Sequence, residues 1–337
     1  MRAVSEVGFT AEDRIGNYRV ERELGPTGSG VLIEAHHLVL PRKAILKVVH
    51  PAFAGVQLFV LQTLREACIL EAISHIGVPI VFESGVLRDR RPWFAFEAIA
   101  GPTLEEVLAT GPCSPLAVAG LVRDLADVLE HAHRRGVIHR GLRPDRIVVT
   151  PERRFPLCIP DWSEALAHDA TSHLPQSTSD DSGRYVAPEL ANQGAGRPAE
   201  PVDDRADMFA LGVIAYRALT GRLPFAAVRD AAPHIAAYEL CPDAPRELAT
   251  LIDAMLAADR FDRPSASEVR AELDWMFSSL PALQTPAERT AAPLISPHDV
   301  VLLERPRLRR PRWTPDVHYL ETTDVDIDLE TVDDDAE

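Results

Sequence analysis

Lysine is nearly absent from this chain: of 35 basic residues only Lys43 and Lys47 are lysines. Arginine fills the other positions, so the ammonium of Lys47, set in the apolar run Ala44-Ile45-Leu46-Lys47-Val48-Val49, is a candidate for chemistry that an arginine would not do. Ahead of it lies Gly25-Pro26-Thr27-Gly28-Ser29-Gly30, a turn in which Gly25, Gly28 and Gly30 leave room for backbone N–H groups to approach phosphate oxygens. Alone, such a turn is a weak signal. The cysteines Cys68, Cys113, Cys158 and Cys241 form no C-x-x-C pair and have no histidine at metal-ligand spacing, so buried thiols in a reducing compartment are expected rather than a zinc site.

The elements that must carry these residues change character along the chain. Tyr18-Arg19-Val20, Val31-Leu32-Ile33 and Ala44 to Val49 read as strands, Val56 to His75 as a helix with Leu61, Leu64, Ala67, Cys68 and Leu70 at helical spacing, and Trp93-Phe94-Ala95-Phe96 as another strand. After Gly101-Pro102 helices dominate, over Leu104–Ala109, Pro115–Arg135, Met208–Thr220, Pro245–Ala257 and Ala266–Phe277, the last with Ser265 as its N-cap. Beyond Pro281 prolines recur without a helical stripe. A basic cluster (Arg305, Arg307, Arg309, Arg310, Arg312) precedes ten acids between Asp316 and Glu337, and Thr323 to Val332 alternates like a strand that could join a partner's sheet.

Length 337, with 46% hydrophobic and 26% charged residues, fits a folded globular protein, and the net charge of −16 argues against a nucleic-acid partner. No basic-then-apolar leader and no run of eighteen apolar residues occurs, so no membrane segment and a cytoplasmic location are expected.

Taken together with Glu66, His139-Arg140, Asp161, Ala187-Pro188-Glu189, Asp207 and Arg263, all in one order, the turn and Lys47 resemble a bacterial Ser/Thr protein kinase (eukaryotic-like kinase) domain over Tyr18 to Phe277. The resemblance implies an α+β, bilobal protein-kinase-like fold, with a small β-rich N-lobe, a larger α-helical C-lobe and a largely unstructured C-terminal tail. The expected division is 1–16 as an extension, 17–280 as the kinase-like domain (lobes 17–100 and 101–280) and 281–337 as linker and acidic tail.

The same resemblance assigns roles. Lys47 would hold phosphates and Glu66 would hold Lys47, the alternative being a surface lysine and a solvated glutamate. Phe96 would be the gatekeeper, Glu97, Ala98 and Ile99 the hinge, and Ile45 and Val148 the walls of the adenine site. Asp207 would hold the catalytic-loop backbone beside His139, and Glu189 would pair with Arg263. Asp161, in Asp161-Trp162-Ser163, stands at the Mg²⁺-binding acid of D-F-G, while Trp162 reads equally as a filler of the core.

The catalytic loop departs from H-R-D-L-K-P-x-N. It reads His139-Arg140-Gly141-Leu142-Arg143-Pro144-Asp145-Arg146. Gly141 has no side chain to act as base, Arg143 replaces the lysine beside the transferred phosphate, and Arg146 puts a cation where an asparagine would bind the second Mg²⁺. Thr27 replaces a loop glycine, Pro26 removes an N–H, and Ile45 replaces a small alanine over the adenine. The cofactors implied are ATP and Mg²⁺, with these departures set against both. Thr171, Ser172, Ser177, Thr178, Ser179 and Ser182 are candidate phosphorylation sites for pairing with Arg140, or else a polar loop in which Asp180 and Asp181 already carry the charge. The expectation is a pseudokinase acting as a signalling scaffold or allosteric regulator, with other signalling proteins, including an active kinase, as partners. The competing reading is a slow Ser/Thr kinase built on Lys47, Glu66 and Asp161, and a third is an ATP-binding switch without turnover.

Overall fold

The computed structural model describes residues 8–167, 182–191, 202–225 and 234–279. Its first half is a six-stranded antiparallel sheet of order β1-β2-β3-β4-β6-β5, made of β1 (Arg14–Ile15), β2 (Tyr18–Pro26), β3 (Gly30–His37), β4 (Lys43–Val49), β5 (Val81–Val86) and β6 (Pro92–Glu97). Both faces bury apolar side chains, and the two-residue period sorts them between the two. Ala44, Leu46 and Val48 pack with Ile15, Tyr18, Val20, Ile33, Trp93 and Ala95 in an outer core. On the other face Ile45 packs with Phe94 and Phe96 in the main core. Lys47 has the same parity as Ile45, and its register neighbours are Leu32 and Phe94.

The sheet begins earlier than the boundary expected at residue 17. Ile15 is buried, β1 pairs Arg14 with Arg19 and Ile15 with Tyr18, and Phe9 packs against the outer core. Between β1 and β2, Gly16 has φ +54°, and a Cβ there would come within 2.5 Å of the Trp93 ring, so the turn requires glycine. Residues 9–15 are thus a working part of the sheet and not an extension.

Helix α1 (Gln57–Ile73) lies against β4 and β6. It buries Thr63, Glu66, Ala67, Ile69, Leu70 and Ile73. Leu61, Leu64 and Cys68, expected on its packed face, are exposed instead. The helix meets a polar cleft as well as apolar sheet, so its buried stripe includes Thr63 and Glu66. Burial of all four thiols also needs correction, since Cys158 is buried, Cys113 and Cys241 are half-buried and Cys68 is open.

The second half is helical. Helix α2 (Leu104–Leu108) starts in a capping box between Thr103 and Glu106, and α3 (Pro115–His133) is capped by Ser114. Then come α4 (Pro188–Ala191), α5 (Arg205–Thr220), α6 (Ala237–Leu240), α7 (Arg246–Met255) and α8 (Ala266–Ser279). Ser265 and Glu268 form a second capping box at the head of α8. Helix α5 is buried nearly all round, as expected of a helix at the centre of a lobe. Two short ribbons, β7 (Val137–Ile138) with β10 (Leu166–Ala167) and β8 (Val148–Val149) with β9 (Leu157–Cys158), hold the loops between α3 and α4. The stretch Thr171 to Asp181 and the linker, basic cluster and acidic end from 281 to 337 lie outside the described residues.

Candidate functional site

The β4 ammonium and the α1 carboxylate meet: Lys47 Nζ lies 2.7 Å from Glu66 Oε2, with side chains 5% and 3% exposed. Burial works against the charge on both. It would lower Lys47, but the carboxylates of Glu66 and Asp161 more than offset it and hold the lysine above its ordinary value. A surface lysine and a solvated glutamate are thereby excluded.

The loop between β9 and β10 supplies Asp161, whose two oxygens are both engaged. Oδ1 accepts from Ser163 N at 3.1 Å and lies 4.0 Å from Lys47 Nζ. Oδ2 lies 3.1 Å from Arg146 Nε. Arg146, from the short turn Pro144–Arg146, also reaches Glu164 Oε1 at 2.8 Å and donates weakly to the Gly141 carbonyl at 3.4 Å. Burial alone would raise Asp161, yet Lys47 and Arg146 hold its carboxyl well below the usual carboxylate range. Arg146 is held above its ordinary value, with burial opposing and Asp161 and Glu164 prevailing.

Gly141 faces this guanidinium. A Cβ built on it would stand 2.7 Å from Arg146 Nη1 and 3.2 Å from Glu164 Oε2, so Arg146 fills the space that any side chain at 141 needs. Arg143 does not join the cluster; it pairs with Asp145 at 2.8 Å.

The loop is held from below. Asp207, on α5, accepts from His139 N at 2.8 Å and Arg140 N at 2.7 Å, and lies 2.8 Å from His133 Nε2. These bonds hold Arg140 at φ +64°, a conformation that non-glycine residues rarely adopt. His139 accepts from Gly141 N through Nδ1, and burial pushes its pKa down, so it is a neutral support. Trp162 is fully buried, donates to Ile159 O at 2.8 Å and packs its ring on His139. Gln62 of α1 donates to Ser163 O at 3.2 Å and ties the helix to this loop. Farther off, Arg263 makes two parallel bonds to Glu189, at 2.7 and 2.9 Å.

At the other end of the cleft, Ile45 pairs in register with Phe96, and Val148 bridges to Thr103. Glu97 is bound through two bonds to Arg153, while Ile99 stays half-exposed. The three glycines of the turn separate in role. Gly25 and Gly28 have open space where a Cβ would stand, whereas a Cβ on Gly30 would meet Val48 O, so that glycine serves strand packing. Thr27 closes the turn: its hydroxyl accepts from Gly30 N at 3.0 Å and its own N–H donates to Gly30 O at 2.7 Å. The Gly30 N–H is therefore not free for a phosphate.

Four residues in this geometry escaped sequence reasoning: Glu164, Gln62, Arg153 and His133. For Glu164 a signal existed, because an arginine at a metal position demands countercharge, and Glu164 is the next acid after Asp161.

The protein kinase domain family matches residues 18–276. This chain belongs to the protein kinase family. Among similar proteins, the serine/threonine-protein kinase Pkn1 of Myxococcus xanthus is 32% identical over 235 residues, covering 69% of this chain and 33% of that protein. Another, pkn3 of the same organism, is 31% identical over 274 residues, covering 76% of this chain and 49% of the relative. The chain thus spans between a third and a half of the length of these two relatives. The kinase domain of Mycobacterium tuberculosis PknI superposes with a TM-score of 0.60 at 25% identity, covering 81% of this chain and 99% of that domain.

The kinase family uses ATP and Mg²⁺, and the residues present fit the two unequally. For the phosphates of ATP the Lys47–Glu66 pair and the open Gly25 and Gly28 are in place, against the occupied Gly30 N–H and the bulk of Ile45. Mg²⁺ does not fit, because Arg146 already binds the carboxylate that would hold it.

Proposed function

We propose that this kinase-like domain does not transfer phosphoryl groups and acts as a signalling scaffold or allosteric regulator, docking other signalling proteins, an active kinase among them, in the cytoplasm. The observation that carries this reading is the Arg146 guanidinium, bound to Asp161 and walled against Gly141. Phosphoryl transfer relies on positioning and on charge stabilisation by metal. Here the base has no side chain and the metal ligand is spent on an arginine. Losing a general base alone costs on the order of 10²–10⁴-fold. Among the described residues no helix is long and apolar enough to cross a membrane.

Radiolabel transfer from γ-labelled ATP to the chain or to generic protein substrates is the test, and none is expected. Robust incorporation that disappears in Lys47→Ala would overturn the proposal. The 2.7 Å Lys47–Glu66 contact favours one alternative, a slow Ser/Thr kinase. In that case Asp161→Asn abolishes the activity.

A further inference from the structure

Two cations and three carboxylates meet in the cleft: Lys47 with Glu66, and Arg146 with Asp161 and Glu164, the two groups linked by the 4.0 Å approach of Lys47 to Asp161. A divalent cation in such a place would need oxygen donors with free lone pairs. Asp161 has Oδ1 accepting from Ser163 N and Oδ2 against Arg146 Nε, so a cation approaching its remaining lone pairs meets the positive guanidinium. Glu164, the second nearby carboxylate, holds Arg146 Nη2 through Oε1.

We propose that Arg146 is a chain-borne replacement for the divalent cation, neutralising Asp161 and Glu164 permanently and making this cleft blind to Mg²⁺ and Mn²⁺. The guanidinium is not a surface arginine that swings away to admit a metal. Its side chain is 13% exposed, gripped on two edges by carboxylates, and its third nitrogen faces the Gly141 carbonyl. The space it fills exists because residue 141 carries no Cβ. The missing base and the added arginine are therefore one arrangement: the glycine makes room, and the arginine uses the room to hold two acids that would otherwise repel each other. A planar fork with several N–H groups does this for two separate carboxylates better than a lysine would. With no metal, the cluster keeps no surplus positive charge for a polyphosphate. This goes beyond the scaffold reading, since a chain that scaffolds and yet binds metal is chemically conceivable.

The experiment is a Mn²⁺ titration of the full chain followed by electron paramagnetic resonance of the free ion. The acidic C-terminal residues give a background of weak sites, so wild type is compared with Asp161→Asn, which alters the cleft alone. The two curves are expected to superimpose. Arg146→Asn should gain one further site at least tenfold tighter than that background, and the site should vanish in Arg146→Asn/Asp161→Asn and in Arg146→Asn/Glu164→Gln. A stoichiometric site in wild type that Asp161→Asn removes would overturn the inference and leave the scaffold reading standing. So would a folded Arg146→Asn chain, verified by its thermal melt, that gains no site. If Arg146→Asn does not fold, Arg146→Gln takes its place, and the wild-type comparison remains decisive by itself.

Discussion

Gly141 and Arg146 divide one volume between them, and that division makes each substitution conditional on the other. Gly141→Ala alone forces a Cβ to 2.7 Å from Arg146 Nη1, which can yield only by shifting in its two ion pairs, and overpacking of this kind costs about 1–3 kcal/mol. In an Arg146→Asn background the cost should largely disappear, so a double-mutant cycle read by urea unfolding is expected to show strong coupling; additive costs would contradict it. Asp161 carries the pH dependence. Its pKa is depressed in the fold, so its contribution to stability is fully present above the ordinary carboxylate value near ~4 and is lost as pH falls through the lower folded value. The stability gap between wild type and Asp161→Asn, measured by urea unfolding, should be flat from about pH 8 to 5 and narrow below about pH 4. The reversed sign at Arg146 was legible in the sequence, whereas its partner was not. Asp145 is adjacent in sequence, yet the turn gives Asp145 to Arg143 and leaves Arg146 to Glu164, a pairing that only loop geometry decides.

Helix α1 shows how an element was legible while its facing was not. Its extent followed from apolar spacing, but that spacing counted Leu61, Leu64 and Cys68, and the helix turns those three outward. A helix that must deliver Glu66 to Lys47 buries a polar stripe beside the apolar one, and a rule based on hydrophobic period misses the polar part. The consequence is measurable by urea unfolding. Leu70→Ala, at a residue 2% exposed, should cost about 2–5 kcal/mol, while Leu61→Glu should change stability by no more than about 0.5 kcal/mol. The strand reading was the more dependable guide: once Ala44 to Val49 is a strand, its two-residue period sets Lys47 and Ile45 on one face, and the structure turns that face to α1 and the main core.

At the scale of the molecule, the two-lobed architecture was readable because its markers are spread through the chain in a fixed order, and each marker pins a long-range contact. The Glu189–Arg263 pair joins α4 to the start of α8, with Arg263 fully buried. Removing the acid leaves a buried guanidinium without its carboxylate, a defect of about 3–5 kcal/mol. Glu189→Ala is thus expected to lower the melting temperature well beyond what an exposed-charge control such as Glu71→Ala does. What the order of markers could not reveal was the contribution of residues ahead of the first one, since Ile15 and Phe9 belong to no motif. Their pairing with β2 has a practical meaning for anyone who trims the chain. Residues 12–15 occupy the hydrogen-bonding rim of Tyr18 to Val20, through Glu12 N to Val20 O, Val20 N to Asp13 O and the Ile15–Tyr18 register. A shortened chain starting at residue 17 would present that rim as an unpaired strand beside newly bared apolar surface, an open template for another molecule. Such a fragment should elute earlier than its length warrants in size-exclusion chromatography, and should stick to itself before it sticks to anything of regulatory interest.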